Sequence, residues 1–378
     1  MTLGVSRIAA AAAVWLLVVH GASAQTAPAD RPQLSDEVFR NIQVLKGLPV
    51  NQFMATMGFF SASLGVSCTY CHVAESGGSW EKYADDIPAK QTARTMVRMM
   101  TAINRGNFAG RQVVTCYTCH RGGNRPKVTP SLAALYGASP SDEPSDIIAQ
   151  APGGPAADQI LDKYMQALGG AQRVAAITSF TARGTAQRYE DPDKHPVEVY
   201  AKAPGQRAVI IHGSDGDAST VFDGRSGWIA APNTERPVTV VALAGGDLDG
   251  VKLDAELSFP ARIKQALGTW RVGLPATIDD RDVQVLQGTS AGGTLATLYF
   301  AADSGLLVRL VRYADSPVGR IPTQIDFADY RDVAGVRMPF HWTLTWLDGR
   351  DTIELTEIQA NVAIDAAKFG RPAAPKPR

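Results

Sequence analysis

Cys68-Thr69-Tyr70-Cys71-His72 and Cys116-Tyr117-Thr118-Cys119-His120 are two copies of one frame, and together they use all four cysteines of the 378-residue chain. Two thiols separated by two residues, with an imidazole on the next residue, form the spacing that attaches a c-type haem. The thiols add to the two porphyrin vinyl groups, and the histidine is carried to the proximal side of the iron. Cys-x-x-Cys alone is a weak signal, but a histidine directly after both copies makes it specific. A Cys₄ zinc site would use both thiol pairs and gives no reason for either histidine. A thioredoxin-like redox pair would occur once, beside a βαβ pattern that this sequence lacks. Disulfides suit an oxidising compartment, yet pairs spaced this closely are poor staples for a long chain. The frames therefore predict two covalently bound haem c groups, held by Cys68, Cys71, Cys116 and Cys119 with His72 and His120 on the irons.

A methionine-bearing helix precedes each frame. The first is expected from about Asn51, a reasonable N-cap, to Ser63, with Gly65 placed to stop it. Phe53, Met57, Phe60 and Leu64 make one apolar face of it. The second is expected from Lys90 to Ile103, with Met96, Met99, Met100 and Ile103 on one face and Gly106 following. Beyond the two frames the remaining histidines of the expected mature chain are His195, His212 and His341, all far down the sequence. Bis-histidine ligation within the haem region is thereby excluded. The sixth iron position is left to a methionine, to a ligand lent by the second half, or to an open site. Met54, Met57, Met96, Met99 and Met100 cluster here, against Met165 and Met338 in the rest, a bias that ordinary core packing does not predict.

The run Val44 to Pro49, then Phe53 to Met57, Ser63 to Cys68, Ala93 to Met99 with Ala102 to Asn104, and Val114 to Gly122 resembles the cytochrome c subunit of the purple-bacterial photosynthetic reaction centre. The resemblance covers about Asn41 to Pro126. It implies a mainly α dihaem fold in which each haem lies along a helix that donates an axial methionine. By position it implies Met57 for the haem on Cys68, Cys71 and His72, and Met96 for the haem on Cys116, Cys119 and His120. The family's subunit has four haem segments, whereas this chain has two frames, no lipoprotein cysteine and a long β-rich extension. Histidine/methionine ligation raises the reduction potential relative to bis-histidine. The expected role is an electron carrier rather than an enzyme, serving redox partner proteins. The alternatives are a redox-sensing or hydrophobic-ligand-binding protein, and an electron donor to a photosynthetic reaction centre.

The chain begins with Arg7, an apolar run from Ile8 to Val19 and the small residues Ala22-Ser23-Ala24, which predicts an export signal over residues 1–24 and a periplasmic protein. The 12-residue run is shorter than the ~20 that a spanning helix needs. Membrane association is expected only through partners. Formal net charge is zero, which argues against nucleic acid as a partner. Local charge is different: Lys90 to Lys127 holds eight basic residues and no Asp or Glu, suited either to pairing haem propionates or to steering an acidic partner. The haem region is placed at 25–126. A Pro-rich linker follows at 127–156, then a β domain at 157–370 and a disordered tail at 371–378.

In the β domain a helix from Ala157 to Leu168 leads into about eleven expected strands, interrupted by a helical stretch at 247–267. The fold class is an antiparallel open barrel behind a mainly α haem domain. Three places, Leu161 to Gly170, Leu298 to Arg309, and Asp326 to Phe340, make this half resemble periplasmic lipoprotein carrier and sorting proteins. The resemblance implies a concave apolar face able to hold a hydrophobic ligand, or a filled core serving as a docking module. His195, His212 and His341 read as isolated strand residues.

Overall fold

Pro49 and Gly65 bracket the helix ahead of the first haem frame, and Pro88 opens the helix ahead of the second. In a computed structural model, which describes residues 31–130, 132, 146–189 and 191–375, α1 spans Ser35–Val38, α2 Val50–Leu64, α3 Pro88–Asn107 and α4 Cys116–His120. The export-signal segment, residues 131 and 133–145 of the linker, and residues 376–378 lie outside the described residues. Gly65 ends α2 in the left-handed conformation at φ 63°, as expected. Asn51 does not cap α2. It lies in the first turn after Pro49, and its amide Nδ2 donates instead to Asp247 Oδ2 at 2.6 Å and to the Ala244 carbonyl at 3.2 Å. In α3, Pro88 occupies the first turn, where its fixed φ fits and its missing N–H costs nothing. Gly106 does not stop this helix. A lone interior glycine costs about 1 kcal/mol, and the bond from Phe108 N to Asn104 O carries the last turn past it.

The second half is one antiparallel sheet of fourteen strands, three more than expected. They are β1 Ser179–Arg188, β2 Lys194–Lys202, β3 Gln206–Gly213, β4 Gly216–Phe222, β5 Gly227–Ala230, β6 Val240–Ala242 and β7 Gly268–Val272. The rest are β8 Ala276–Ile278, β9 Arg281–Thr289, β10 Leu295–Ala301, β11 Leu307–Ser316, β12 Gly319–Val333, β13 Val336–Trp346 and β14 Gly349–Ala360. Their order is β6-β5-β4-β3-β2-β1-β14-β13-β12-β11-β10-β9-β7, with β8 beside β9, so the first strand pairs with the last and the sheet stays open at β6 and β7.

Alternation along the strands sends one face inward. Ala182, Val199, Leu286, Leu298, Leu310 and Ile353 line it, and the helices Ala157–Ala167 and Gly245–Leu257 cover it with Ile160, Leu161, Tyr164 and Leu253. Burying each such leucine or isoleucine is worth about 1.5–3 kcal/mol. The Gly245–Leu257 helix falls within the expected helical interruption and spans the mouth, touching β3, β4 and β5 from one wall and β11 from the other. On the opposite face Ile148 packs with Val283, Val285, Tyr299, Val311 and Tyr313. Gln150 bridges to Gly273, and Arg320 pairs with Asp146 at 2.5 Å, so residues 146–150 of the expected linker are built into the sheet.

Residues Arg31–Arg378 form one compact unit, and α2 is the reason. Its Phe59 joins Val97 and Met100 of α3 to Val318 and Ile321 beside the β11–β12 turn. Gly319 lies so close that a Cβ there would stand 2.3 Å from Phe59. Trp80 Nε1 adds a further tie to the Asn233 carbonyl at 2.5 Å.

Candidate functional site

Each frame is shaped by local hydrogen bonds. The first is a 3₁₀ turn, Cys68–Tyr70, in which the Cys71 and His72 amides both bond the Cys68 carbonyl. The second is α4, capped by Thr115, whose side chain accepts from Thr118 N at 3.3 Å. Asn104 of α3 sets the approach to it: Nδ2 donates to Val114 O at 2.7 Å, and Oδ1 accepts from Val114 N at 2.9 Å and Val113 N at 3.2 Å.

The two frames are neighbours. Gly122, just past His120, donates its N–H to Ser63 O at the end of α2 at 2.9 Å. A Cβ on Gly65 would stand only 2.3 Å from Gly122 O, and Asn124 Nδ2 reaches Tyr70 OH at 3.5 Å.

The imidazoles are oriented alike. His72 Nδ1 lies 3.1 Å from Tyr83 O, and His120 Nδ1 lies 3.0 Å from Gly123 O. A carbonyl can only accept, so each Nδ1 donates its proton there and leaves Nε2 as the nitrogen that can face a metal, the arrangement of a metal-binding histidine with its second nitrogen anchored. Burial, followed by the Lys90 ammonium, holds His72 below the usual imidazole range and so favours its neutral form. The His72 ring leans on Tyr83 at 4.7 Å, and Tyr83 stacks on Trp80 at 5.3 Å. Lys90 Nζ also donates to the carbonyls of Tyr83 and Ala84 at 2.7 and 3.1 Å, closing the loop that holds His72.

Burial raises the Cys71 thiol and pushes Cys116 up to about 11. The four thiols are free, and among the described residues no three His, Cys, Asp or Glu side chains converge on a metal position. The donor set therefore fits two haem attachment turns better than a zinc site or disulfides. Met57 and Met96 are both half-buried. Met57 shares its side of α2 with Phe53, Phe60 and Leu64, whereas Phe59 and Asn51 point toward the β half. Met96 sits at the edge of α3 between buried Val97 and Met100 and exposed Met99. His195 and His212 are tied to Asp191 at 2.7 Å and Asp217 at 3.1 Å, and His341 lies mid-strand in β13, paired with Glu354 of β14.

Sequence reasoning missed the two carbonyl acceptors and the Asn104 clamp. It also grouped Arg94 with the surface cations, whereas Arg94 is buried, bonding Asp86 Oδ1 at 2.8 Å and Asn41 O at 3.0 Å. Of these Asn104 and Arg94 left a trace, as parts of the stretches that carry the family resemblance, Ala102 to Asn104 and Ala93 to Met99.

Residues 13–134 match the family model of the photosynthetic reaction centre cytochrome C subunit. The N-terminal region thus carries a cytochrome c domain. It is 41% identical over 97 residues to the reaction centre cytochrome c subunit of Thermochromatium tepidum, an alignment covering 25% of this chain and 23% of that one. It is 31% identical over 123 residues to the same subunit of Roseobacter denitrificans, covering 29% and 32%, and 36% identical over 107 residues to cytochrome c-554 of Chloroflexus aurantiacus, covering 25% and 23%. The chain therefore spans between about a quarter and a third of the length of these relatives. Beyond the cytochrome region the solved structures similar to it include a LolA superfamily protein from Nitrosomonas europaea, with TM-score 0.38 and 14% identity over 57% of this chain and 98% of that one. A putative outer membrane lipoprotein-sorting protein domain from Vibrio parahaemolyticus gives 0.34 and 11% over 56% and 94%.

Proposed function

We propose that the protein is an exported dihaem c-type cytochrome that carries single electrons between redox proteins in the periplasm. The observation that carries this reading is the matched anchoring of His72 and His120, each Nδ1 bonded to a backbone carbonyl directly beside a Cys-x-x-Cys pair. Cys68 and Cys71 hold one haem and Cys116 and Cys119 the other, while Met57 and Met96, each on the helix ahead of its frame, supply the sixth ligands. A bound c-type haem supplies a one-electron iron couple. The chain's own residues orient the ligands: the Tyr83 and Gly123 carbonyls fix the two imidazoles, and Asn104 holds the approach to the second frame. Closeness of the frames across Gly65 and Gly122 suits electron passage between them. Residues 25–126 act as the redox part. The β part is its mount, a role supported by a concave face already filled by Leu161, Leu253, Leu298 and Leu310.

The test is to produce the protein in a host competent in cytochrome maturation and to quantify haem per chain by the pyridine haemochrome spectrum. Two haems are expected, and one or none overturns the reading. Met57→Ala and Met96→Ala should each lower one of two midpoint potentials by on the order of 100 mV. Unchanged titrations for both would remove the methionines from the ligand set.

A further inference from the structure

We propose that Arg98, Arg105, Arg111, Arg121, Arg125 and Lys127 form the docking face for an acidic redox protein, which exchanges electrons at the second frame; this rests on the dihaem reading above. All six are exposed, and among the described residues none of them makes an ion pair. The other two cations of the run are used internally, Arg94 on Asp86 and Asn41, and Lys90 on Asp86 and three carbonyls. The interior faces of α3 and the following loop are uncharged apart from Arg94, with Val97, Met100, Asn104 and Val114 turned in. The six charges therefore stand on the outside of one short piece of chain around Cys116–His120.

Charge over the whole molecule makes this patch a pole. The chain has 37 basic and 37 acidic residues, and the stretch 90–127 holds eight of the basic ones and no acid. Outside the stretch stand 29 basic against 37 acidic residues, and within it the six exposed, unpaired cations carry a local charge of +6. Such a separation orients a charged partner before contact and raises the encounter rate.

Neutralising haem propionates does not account for the pattern. Both haems bring two propionates, so both frames would need free cations. Around the first frame, residues 67–86 contain Glu75, Glu81, Asp85 and Asp86 and one cation, Lys82, which pairs with Asp85 at 3.3 Å. Along the chain the two frames differ in charge: the first lies in an acidic stretch, and the six free cations flank the second. A membrane surface fits less well than a protein. Met99, Val113, Tyr117 and Val128 are exposed by 46%, 49%, 51% and 91%, but they are spread over thirty residues of chain between the cations rather than ordered as the apolar face of an amphipathic helix. Small wet contacts of this kind suit brief electron-transfer encounters.

The experiment uses the holoprotein, reduced with ascorbate and mixed by stopped flow with an acidic blue-copper protein. One electron leaves the reduced cytochrome and converts the partner's Cu(II) to Cu(I). Raising ionic strength from about 10 to 300 mM should cut the second-order rate about tenfold or more. The same series with a strongly basic c-type cytochrome as oxidant should stay flat or rise. The double variant Arg111→Glu/Arg125→Glu should lower the low-salt rate with the acidic partner by about tenfold while haem content and visible spectrum stay unchanged, and Arg111→Lys/Arg125→Lys should restore it. Equal salt responses for the two partners overturn the proposal. So does tight binding to phosphatidylglycerol vesicles without preference for the acidic protein. Haem content below two per chain would instead refute the underlying dihaem reading, so the two failures are separable.

Discussion

Asp86 and Arg94 show how a charge that reads as surface decoration can organise the haem loop. Partial burial pushes the Asp86 carboxyl up, but the bonds and charge of Arg94, with Asn41 and Lys90, outweigh it and hold the group below its ordinary 3.8. A depressed carboxyl contributes stability that is present above the unfolded value and lost as pH falls through the lower folded one. Urea unfolding followed from pH 7 to pH 3 should show this loss in the wild type and a flatter acid limb in Arg94→Met. That variant should also cost about 1–3 kcal/mol at neutral pH, because Asp86 and the Asn41 carbonyl lose a buried donor. A neutral-pH cost below about 0.5 kcal/mol would mean the pair is merely solvated. At this scale the Cys and His positions were legible because the chemistry lies in residue identity at fixed spacing. The Tyr83 and Gly123 carbonyls were not, because every residue carries a carbonyl and only the folded loop selects one.

Among elements, α2 is the clearest case of a helix with two duties. The sequence displayed one apolar stripe, Phe53, Met57, Phe60 and Leu64, and that stripe is half-buried. The buried residues of the helix are Val50, Asn51, Thr56, Gly58, Phe59 and Ser63, and no periodic hydrophobic pattern announced them, since four of these six are polar or lack a side chain. The same limit explains the strands that were not foreseen. β6 and β8 are three residues each, too short to show alternation, and β7 follows directly on the helical stretch expected at 247–267 and opens on Gly268 and Thr269, whereas long strands such as β9 to β14 were foreseen. Gly65 is the sharpest point of contact between the two frames. Gly65→Ala combines a left-handed φ of 63° with a Cβ 2.3 Å from the Gly122 carbonyl. The expected outcome is a loss of about 2 kcal/mol or more in thermal or urea unfolding. A neutral effect would show that the two frames do not rest on each other.

For the molecule as a whole, composition suggested a division between two halves but said nothing of how firmly they are joined, and residues 31–378 form one compact unit. Proline and glycine mark residues 126–155 as linker, yet Ile148 is 9% exposed within the outer cluster of the sheet. Composition averages over a window, and a single isoleucine docking into a formed cavity leaves no such signature. Ile148→Ala should destabilise the β half by about 2–4 kcal/mol, measured by calorimetry. A chain begun at Asp146 should accordingly unfold at higher temperature than one begun at Ala157; equal midpoints would return residues 146–151 to the role of a tether.

A helix gripped on both flanks behaves as a gear rather than a rod. One residue inserted into α2 between Met57 and Gly58 would turn everything beyond it by about 100° relative to what precedes it, so Phe59 could keep its seat against Val318, or Met57 its place toward the first frame, but never both. The inserted protein should therefore either retain its visible spectrum while the halves come apart to limited proteolysis, or stay joined with one haem band altered. Four inserted residues, close to a full revolution, should restore much of each.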